Sequence, residues 1–85
     1  MGRFRARVEV RLKRGYLDPE GRSAERALID LGFRVSDVRT AKVYEFEVFA
    51  GSKEEAERKV EEMCRRLLSN PVKDDYIFEV KEEDG

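Results

Sequence analysis

Few side chains in this 85-residue sequence could do chemistry, and two adjacent carboxylates, Asp74 and Asp75, come first. Paired carboxylates can ligate a divalent cation or divide acid and base roles. Neighbours in a strand point to opposite faces, so a shared role requires that this pair lie in a loop. The plainer reading is a helix-to-strand connection kept soluble by charge. A row of arginines, Arg3, Arg5, Arg7 and Arg11, could bind phosphate. Lys42, with Arg39 nearby, could hold an anion or a partner's carboxylate, or lie free in solvent; tight connections commonly carry such contacts. Cys64 lies on an apolar helical stripe, where a thiol acts as a small hydrophobe with a raised pKa. Gly15 and Gly21 lack the spacing of a dinucleotide or Walker loop.

Composition narrows the classes further. Histidine is absent, so the usual proton carrier near neutral pH is missing, and one cysteine gives zinc no ligand set. A lone cysteine forms no internal disulfide, which fits a reducing compartment and a cytoplasmic protein. The net charge of −1 creates no global field for nucleic acid. Charge is uneven, with Arg3, Arg5, Arg7, Arg11, Lys13 and Arg14 against Glu9 early, and Glu79, Glu82, Glu83 and Asp84 against Lys81 late. No apolar run approaches the ~20 residues of a membrane span. The Met1-Gly2-Arg3-Phe4-Arg5 start has no apolar signal core. With 44% charged residues, one Asn and no Gln, the chain resembles proteins from hot environments.

The elements that must position these groups follow from periodicity. Phe4, Ala6, Val8, Val10 and Leu12 alternate with charged residues, which predicts a strand with one wet face. Asp18 before Pro19 predicts a helix N-cap, and Gly32 a left-handed C′ residue, with Phe33 folding back on the last turn of a helix from about Pro19 to Leu31. Val35 to Ala50 reads as two strands joined near Thr40-Ala41-Lys42. Tyr44, Phe46 and Val48 share one face of the second; Glu45, Glu47, Val43 and Phe49 share the other. Ser52-Lys53-Glu54-Glu55 matches a reciprocal capping box. Ala56, Val60, Met63, Cys64, Leu67 and Leu68 form the stripe of a second helix. Asn70 is expected to end it in the left-handed conformation before Pro71. Tyr76, Phe78 and Val80 alternate in a last strand.

Right-handed crossovers applied to strand, helix, strand, strand, helix, strand predict an α+β, ferredoxin-like βαββαβ domain. It has a four-stranded antiparallel sheet with two helices on one face. Residues 1–85 read as one domain, with the acidic tail 81–85 frayed. In this topology the first strand lies between the third and fourth. Its arginines then sit beside Glu45, Glu47 and Glu79, which cancels a phosphate-binding field. The outer face holds only Phe49 and Ile77 as large apolar exceptions, too few for base stacking. A chain this short buries only ~60–65% of its unfolded surface, so its core is thin and association is favoured. Ile29, off the apolar stripe of the first helix, is a candidate partner contact.

Three segments carry a resemblance over nearly the whole chain. They are Leu12-Lys13 leading to Leu17-Asp18-Pro19-Glu20-Gly21; Asp37-Val38-Arg39-Thr40-Ala41-Lys42 followed by Glu45; and Met63-Cys64 through Leu67-Leu68-Ser69-Asn70-Pro71-Val72-Lys73-Asp74-Asp75-Tyr76. In order and spacing the chain resembles the PurS family, the small subunit of phosphoribosylformylglycinamidine (FGAM) synthase in purine biosynthesis. Ala41 departs from the Gly that the family usually places before the Lys. The resemblance implies a non-catalytic subunit of a glutamine-dependent, ATP-consuming ligase. It implies self-association as a dimer or dimer of dimers, and assembly with a synthetase subunit, PurL, and a glutaminase subunit, PurQ, in support of ammonia transfer. No cofactor is expected on this chain; ATP and magnesium belong to the synthetase subunit. No catalytic or metal-binding residue and no nucleic-acid or membrane partner is expected. The candidate interface residues are Asp18, Pro19, Arg39, Lys42, Asn70, Pro71, Asp74 and Tyr76. Two rivals are a ferredoxin-like small-molecule sensor and an acylphosphatase-like enzyme, for which Arg14-Gly15-Tyr16 is a poor phosphate cradle.

Overall fold

Alternation places Phe4, Ala6, Val8 and Val10 of the first strand, β1 (Gly2–Leu12), on the buried side of a sheet. In the computed structural model, which describes residues 1–83, β1 is the central strand. It pairs antiparallel with β2 (Lys42–Ala50) on one side and β3 (Asp74–Glu82) on the other. The register sets Arg5 opposite Glu47, and Arg7 opposite both Glu45 and Glu79, as the topology argument required. Arg3 and Glu47 approach to 3.3 Å across the strands. Such exposed pairs contribute only ~0.2–1 kcal/mol each, but together they fix register and neutralise the arginine row.

The second helix, α2 (Lys53–Met63), starts where the Ser52 hydroxyl accepts the Glu55 amide at 3.1 Å. The return half of the expected capping box falls one residue earlier: the Glu55 carboxylate takes its backbone contact from Gly51. Ala56, Val60 and Cys64 are buried against Phe4, Ala6, Val8, Val48, Ala50 and Val80. After Met63 the helix widens into one π-helical turn, Cys64–Leu68, rather than staying α-helical to its end. The Ser69 amide and hydroxyl both donate to the Cys64 carbonyl, at 3.0 and 2.9 Å. The wider turn changes the phase of the stripe: Leu68 stays partly buried while Leu67 is 82% exposed. Asn70 is not left-handed; Ser69 ends the helix in an extended conformation.

Cys64 has no exposed surface, and burial is the main cause that pushes its thiol up, with Glu61 adding to it. Exchanging sulfur for a hydroxyl there leaves a polar group in an apolar contact. Cys64→Ser is therefore expected to cost about 1–3 kcal/mol in a thermal unfolding scan, with assembled activity retained. Lost activity in a stably folded variant would show that the thiol does more than fill space.

The sheet has three strands, not four, and the two helices do not share its face. The first helix, α1 (Pro19–Asp30), leaves the sheet at the end of β1 and packs on no strand extensively. Gly32 ends it at φ 98°, with the Gly32 and Phe33 amides returning to the Ile29 and Leu28 carbonyls. Residues 33–41 then run back along α1 without joining any ladder. The missing strand has a local cause. Two-residue hairpin turns need positive φ, which Gly, Asn and Asp supply most readily; Thr40-Ala41-Lys42 offers none of these. The chain continues directly into β2, and helix plus returning limb form a projecting arm. The radius of gyration is 16.6 Å and the extents 52 × 29 × 13 Å, whereas a compact chain of this length would have about 12 Å. Lys81 and Glu82 of the acidic tail pair with Arg5 and Phe4; Asp84 and Gly85 lie outside the described residues.

Candidate functional site

The root of the arm is built by one carboxylate. As N-cap of α1, Asp18 accepts the Gly21 amide at 2.9 Å on one oxygen. Its other oxygen accepts the Thr40 amide at 2.8 Å and the Thr40 hydroxyl at 3.0 Å. One side chain thus fastens the start of the helix to the end of the returning limb. Glu25 accepts the Val38 amide at 3.0 Å one turn further out. Arg39 donates to the Leu12 carbonyl, tying the limb to the end of β1. Gly21 is buried because the limb runs directly over it, and a Cβ there would lie 2.5 Å from the Val38 carbonyl oxygen.

The second junction sits beside the first. The Lys13 amide donates to the Lys73 carbonyl at 2.8 Å, and the Tyr16 hydroxyl lies 3.4 Å from the Val72 carbonyl. Asn70 organises this turn: its side-chain oxygen accepts the Val72 amide at 2.9 Å, and its amide donates to Asp74 at 2.8 Å. An Asx-type turn followed by a carboxylate clasp explains why Asn and Asp flank Pro71-Val72.

Between the two junctions lies an open concavity of about 720 Å3, floored by Val10, Leu12, Tyr44 and Leu68. Asp18, Lys42 and Asp74 line it together with Glu20, Thr40 and Lys73. Three of the candidate residues therefore meet. Pro19 is the first residue of α1 at its edge, while Asn70 and Pro71 stand exposed in the adjoining turn. Arg39 is occupied by the Leu12 carbonyl. Tyr76 points elsewhere, under α2, where its hydroxyl donates to Glu61 at 2.9 Å. Burial and this carboxylate raise the Tyr76 pKa, so it is a fixed donor at neutral pH. Asp74 and Asp75 divide between the two faces of β3, half-buried and exposed, which separates the carboxylates as strand geometry demands. Lys42 is not at a hairpin tip; it opens β2, with its ammonium 5.8 Å from the centre of the Tyr44 ring.

The lining mixes Asp18, Glu20 and Asp74 with Lys42 and Lys73, so neither sign dominates. That suits a polypeptide surface with its own mixed charges better than a phosphate. Among the described residues, no group of three or more Cys, Asp and Glu could hold a metal ion. No helix is long and apolar enough to cross a membrane. The Thr40 amide first, and then the Gly21 amide, hold Asp18 below the usual carboxylate range. A depressed folded pKa gives stability that is complete above the unfolded value and lost as pH falls through the folded one. The Thr40 amide, followed by NMR, should therefore titrate with a midpoint below that of an unperturbed aspartate. Asp18→Asn should flatten that titration. A Thr40 midpoint above the usual Asp value would contradict the hydrogen bonding drawn here.

Thr40 was not apparent as a site residue in the sequence. A threonine 22 residues from its partner carries no local signal. Leu67 was also concealed, because spacing alone cannot announce a π-turn. It forms an apolar groove with Phe46, Met63 and Leu68 between β2 and the end of α2.

Residues 5–82 match the family model for PurS, described as phosphoribosylformylglycinamidine (FGAM) synthase. The chain belongs to the PurS family. It is 46% identical over 83 residues to phosphoribosylformylglycinamidine synthase subunit PurS of Methanothermobacter thermautotrophicus, covering 98% of this chain and 99% of that protein. It superposes with a TM-score of 0.83 and 41% identity on PurS of Methanocaldococcus jannaschii, covering 95% of this chain and 99% of that one. That protein is described as one of the subunits of formylglycinamide ribonucleotide amidotransferase in the purine biosynthetic pathway. A chain in the structure of PurLQS from Thermotoga maritima matches with a TM-score of 0.83 and 36% identity, over 98% of this chain and all of that one.

Proposed function

We propose that this chain is the small, non-catalytic subunit of FGAM synthase. It bridges a synthetase subunit, PurL, and a glutaminase subunit, PurQ, and supports passage of ammonia between them. The observation that carries this reading is the end-to-end match to a chain of the PurLQS structure. The geometry fits a docking part. A glutaminase needs an activated cysteine, and Cys64 is buried with no histidine in the sequence. What the chain offers instead is surface: a mixed-charge concavity, two open sheet edges and a projecting arm.

Asp18, Lys42 and Asp74 around the concavity, with Pro19, Asn70 and Pro71 at its edge, are the residues we place against partner subunits. Arg39 ties the limb beside that surface to the end of β1, whereas Tyr76 faces Glu61 under α2 and lies away from it. The chain also associates with itself, as a dimer or dimer of dimers, and works in the cytoplasm. ATP and magnesium act on the synthetase subunit. Binding energy from this subunit holds two active sites in register, so that ammonia transfers within protein instead of diffusing away. Co-purification of the tagged chain with PurL and PurQ from its host tests the assembly. Recovery of the chain with neither would end the proposal.

A further inference from the structure

The loop between β1 and α1 and the turn before β3 are fastened into one surface. Gly15 takes φ 94°, in the left-handed region, and the Tyr16 amide returns to the Lys13 carbonyl at 3.3 Å. The Lys13 amide reaches across to the Lys73 carbonyl at 2.8 Å, and the Tyr16 hydroxyl lies against the Val72 carbonyl. The side chains braced in this way cover no part of the core. Tyr16, Leu17 and Val72 are 47%, 63% and 73% exposed, and none of them belongs to the core or packs against it. A surface held by main-chain bonds loses little freedom when another polypeptide settles on it. Tyr is also among the residue types that most often anchor such contacts.

Tyr16 and Leu17 also line an open depression of about 610 Å3, separate from the concavity at the root of the arm although Asp18 borders both. The carboxylates of this depression are already engaged. Asp18 accepts from Gly21 and Thr40, Glu25 accepts the Val38 amide, and Asp37 pairs with Arg14 at 3.2 Å. Its cations keep spare donors. Arg22 forms no ion pair among the described residues, and Arg14, whose side chain is 79% exposed, meets Asp37 through one nitrogen. Lys13 and Lys73, in the braced loops, form no ion pair among the described residues either. The remaining polar capacity is therefore cationic, and it adjoins bare apolar surface. A free phosphate would use the donors and leave Tyr16, Leu17 and Val72 wet. A peptide with carboxylates next to an apolar side chain would use both. We infer that this loop surface receives an acidic segment of a partner subunit, with an apolar side chain resting on Tyr16, Leu17 and Val72 and carboxylates meeting Arg14 and Arg22. The Arg fork can hold a carboxylate through two parallel hydrogen bonds.

This inference rests on the assembly with PurL and PurQ proposed above, and the test separates the two. Purified PurL and PurQ are titrated separately against the full-length chain. The pair Tyr16→Ser with Val72→Ser, and Arg22→Glu alone, should each weaken binding to the same one of the two subunits by about tenfold. The deficit of Arg22→Glu should shrink as salt is raised, because salt screens exposed charges, while that of the apolar pair persists. Thermal unfolding of the variants should match the wild type, since none of these side chains packs on the core. A photo-crosslinking residue in place of Val72 should join a segment of that subunit rich in Asp or Glu. Wild-type affinity in the folded variants overturns the assignment and leaves the assembly standing. Adducts confined to a second copy of this chain, or to a segment without Asp or Glu, do the same. Failure of the wild-type chain to bind either subunit overturns both readings.

Discussion

Leaving this chain out of a mixture with PurL and PurQ should reduce glutamine-dependent FGAM formation to background, while adding it back restores the rate. Ammonia-dependent synthesis should fall much less, since the chain offers neither a nucleophile–base pair nor a phosphate loop. The contrast between the two nitrogen sources is the informative quantity. A subunit that merely stabilised PurL would depress both rates together. One that aligns glutaminase with synthetase depresses only the rate that needs transfer. Positioning of this kind can account for several orders of magnitude in rate, because it replaces a diffusional encounter by a held geometry. Equal glutamine-dependent rates with and without the chain would remove the basis for the bridging role.

Gly21→Ala should have the largest effect of any single methyl group added to the arm. At an exposed helical site the change would gain about 1 kcal/mol from helix propensity. Here the new Cβ would lie 2.5 Å from the Val38 carbonyl oxygen and 3.1 Å from the Arg39 Cα. Both neighbours are backbone and cannot rotate away. Overpacking costs typically about 1–3 kcal/mol, so the clash outweighs the propensity gain and the limb separates from α1. The amides of Val38 and Thr40 should exchange with solvent much faster, while those of β1 stay protected, because neither the core nor the hydrophobics packed against it include an α1 residue. Assembly with the other subunits should weaken in parallel. A raised melting temperature with unchanged exchange at Val38 would show that the limb does not run where it is described.

Much of this was legible from the residues alone, and what was hidden has physical causes. The alternation of β1, β2 and β3 and the charge match across their register follow from a period of two, which nothing tertiary disturbs. The caps at Asp18, Gly32 and Ser52 are local chemistry and appear where they were expected. The fourth strand was expected because Val35 to Ala41 has strand-like residues. Whether such a segment pairs depends on a turn, and Thr40-Ala41-Lys42 lacks the Gly, Asn or Asp that supplies positive φ most readily. The π-turn, and with it the exposure of Leu67, depends on hydrogen bonds one residue longer than an α-helix makes, and residue type does not signal them. At the site, Asp18, Lys42 and Asp74 come together as candidate residues, but Tyr76, which the resemblance places with them, faces Glu61 instead.

The centre of the sheet is the first strand among the described residues, and one of its two neighbours is the last. Phe4 pairs with Glu82, and Val10 with Tyr76, so half of the ladder on β1 joins segments more than 60 residues apart. Closing so long a loop must precede the contacts that reward it, which slows acquisition of structure relative to a helical protein of equal size. During synthesis the nascent chain therefore carries a half-paired central strand until β3 has been made. Truncation that removes Tyr76 and the residues after it would leave Phe4 to Val10 half-paired and prone to aggregate.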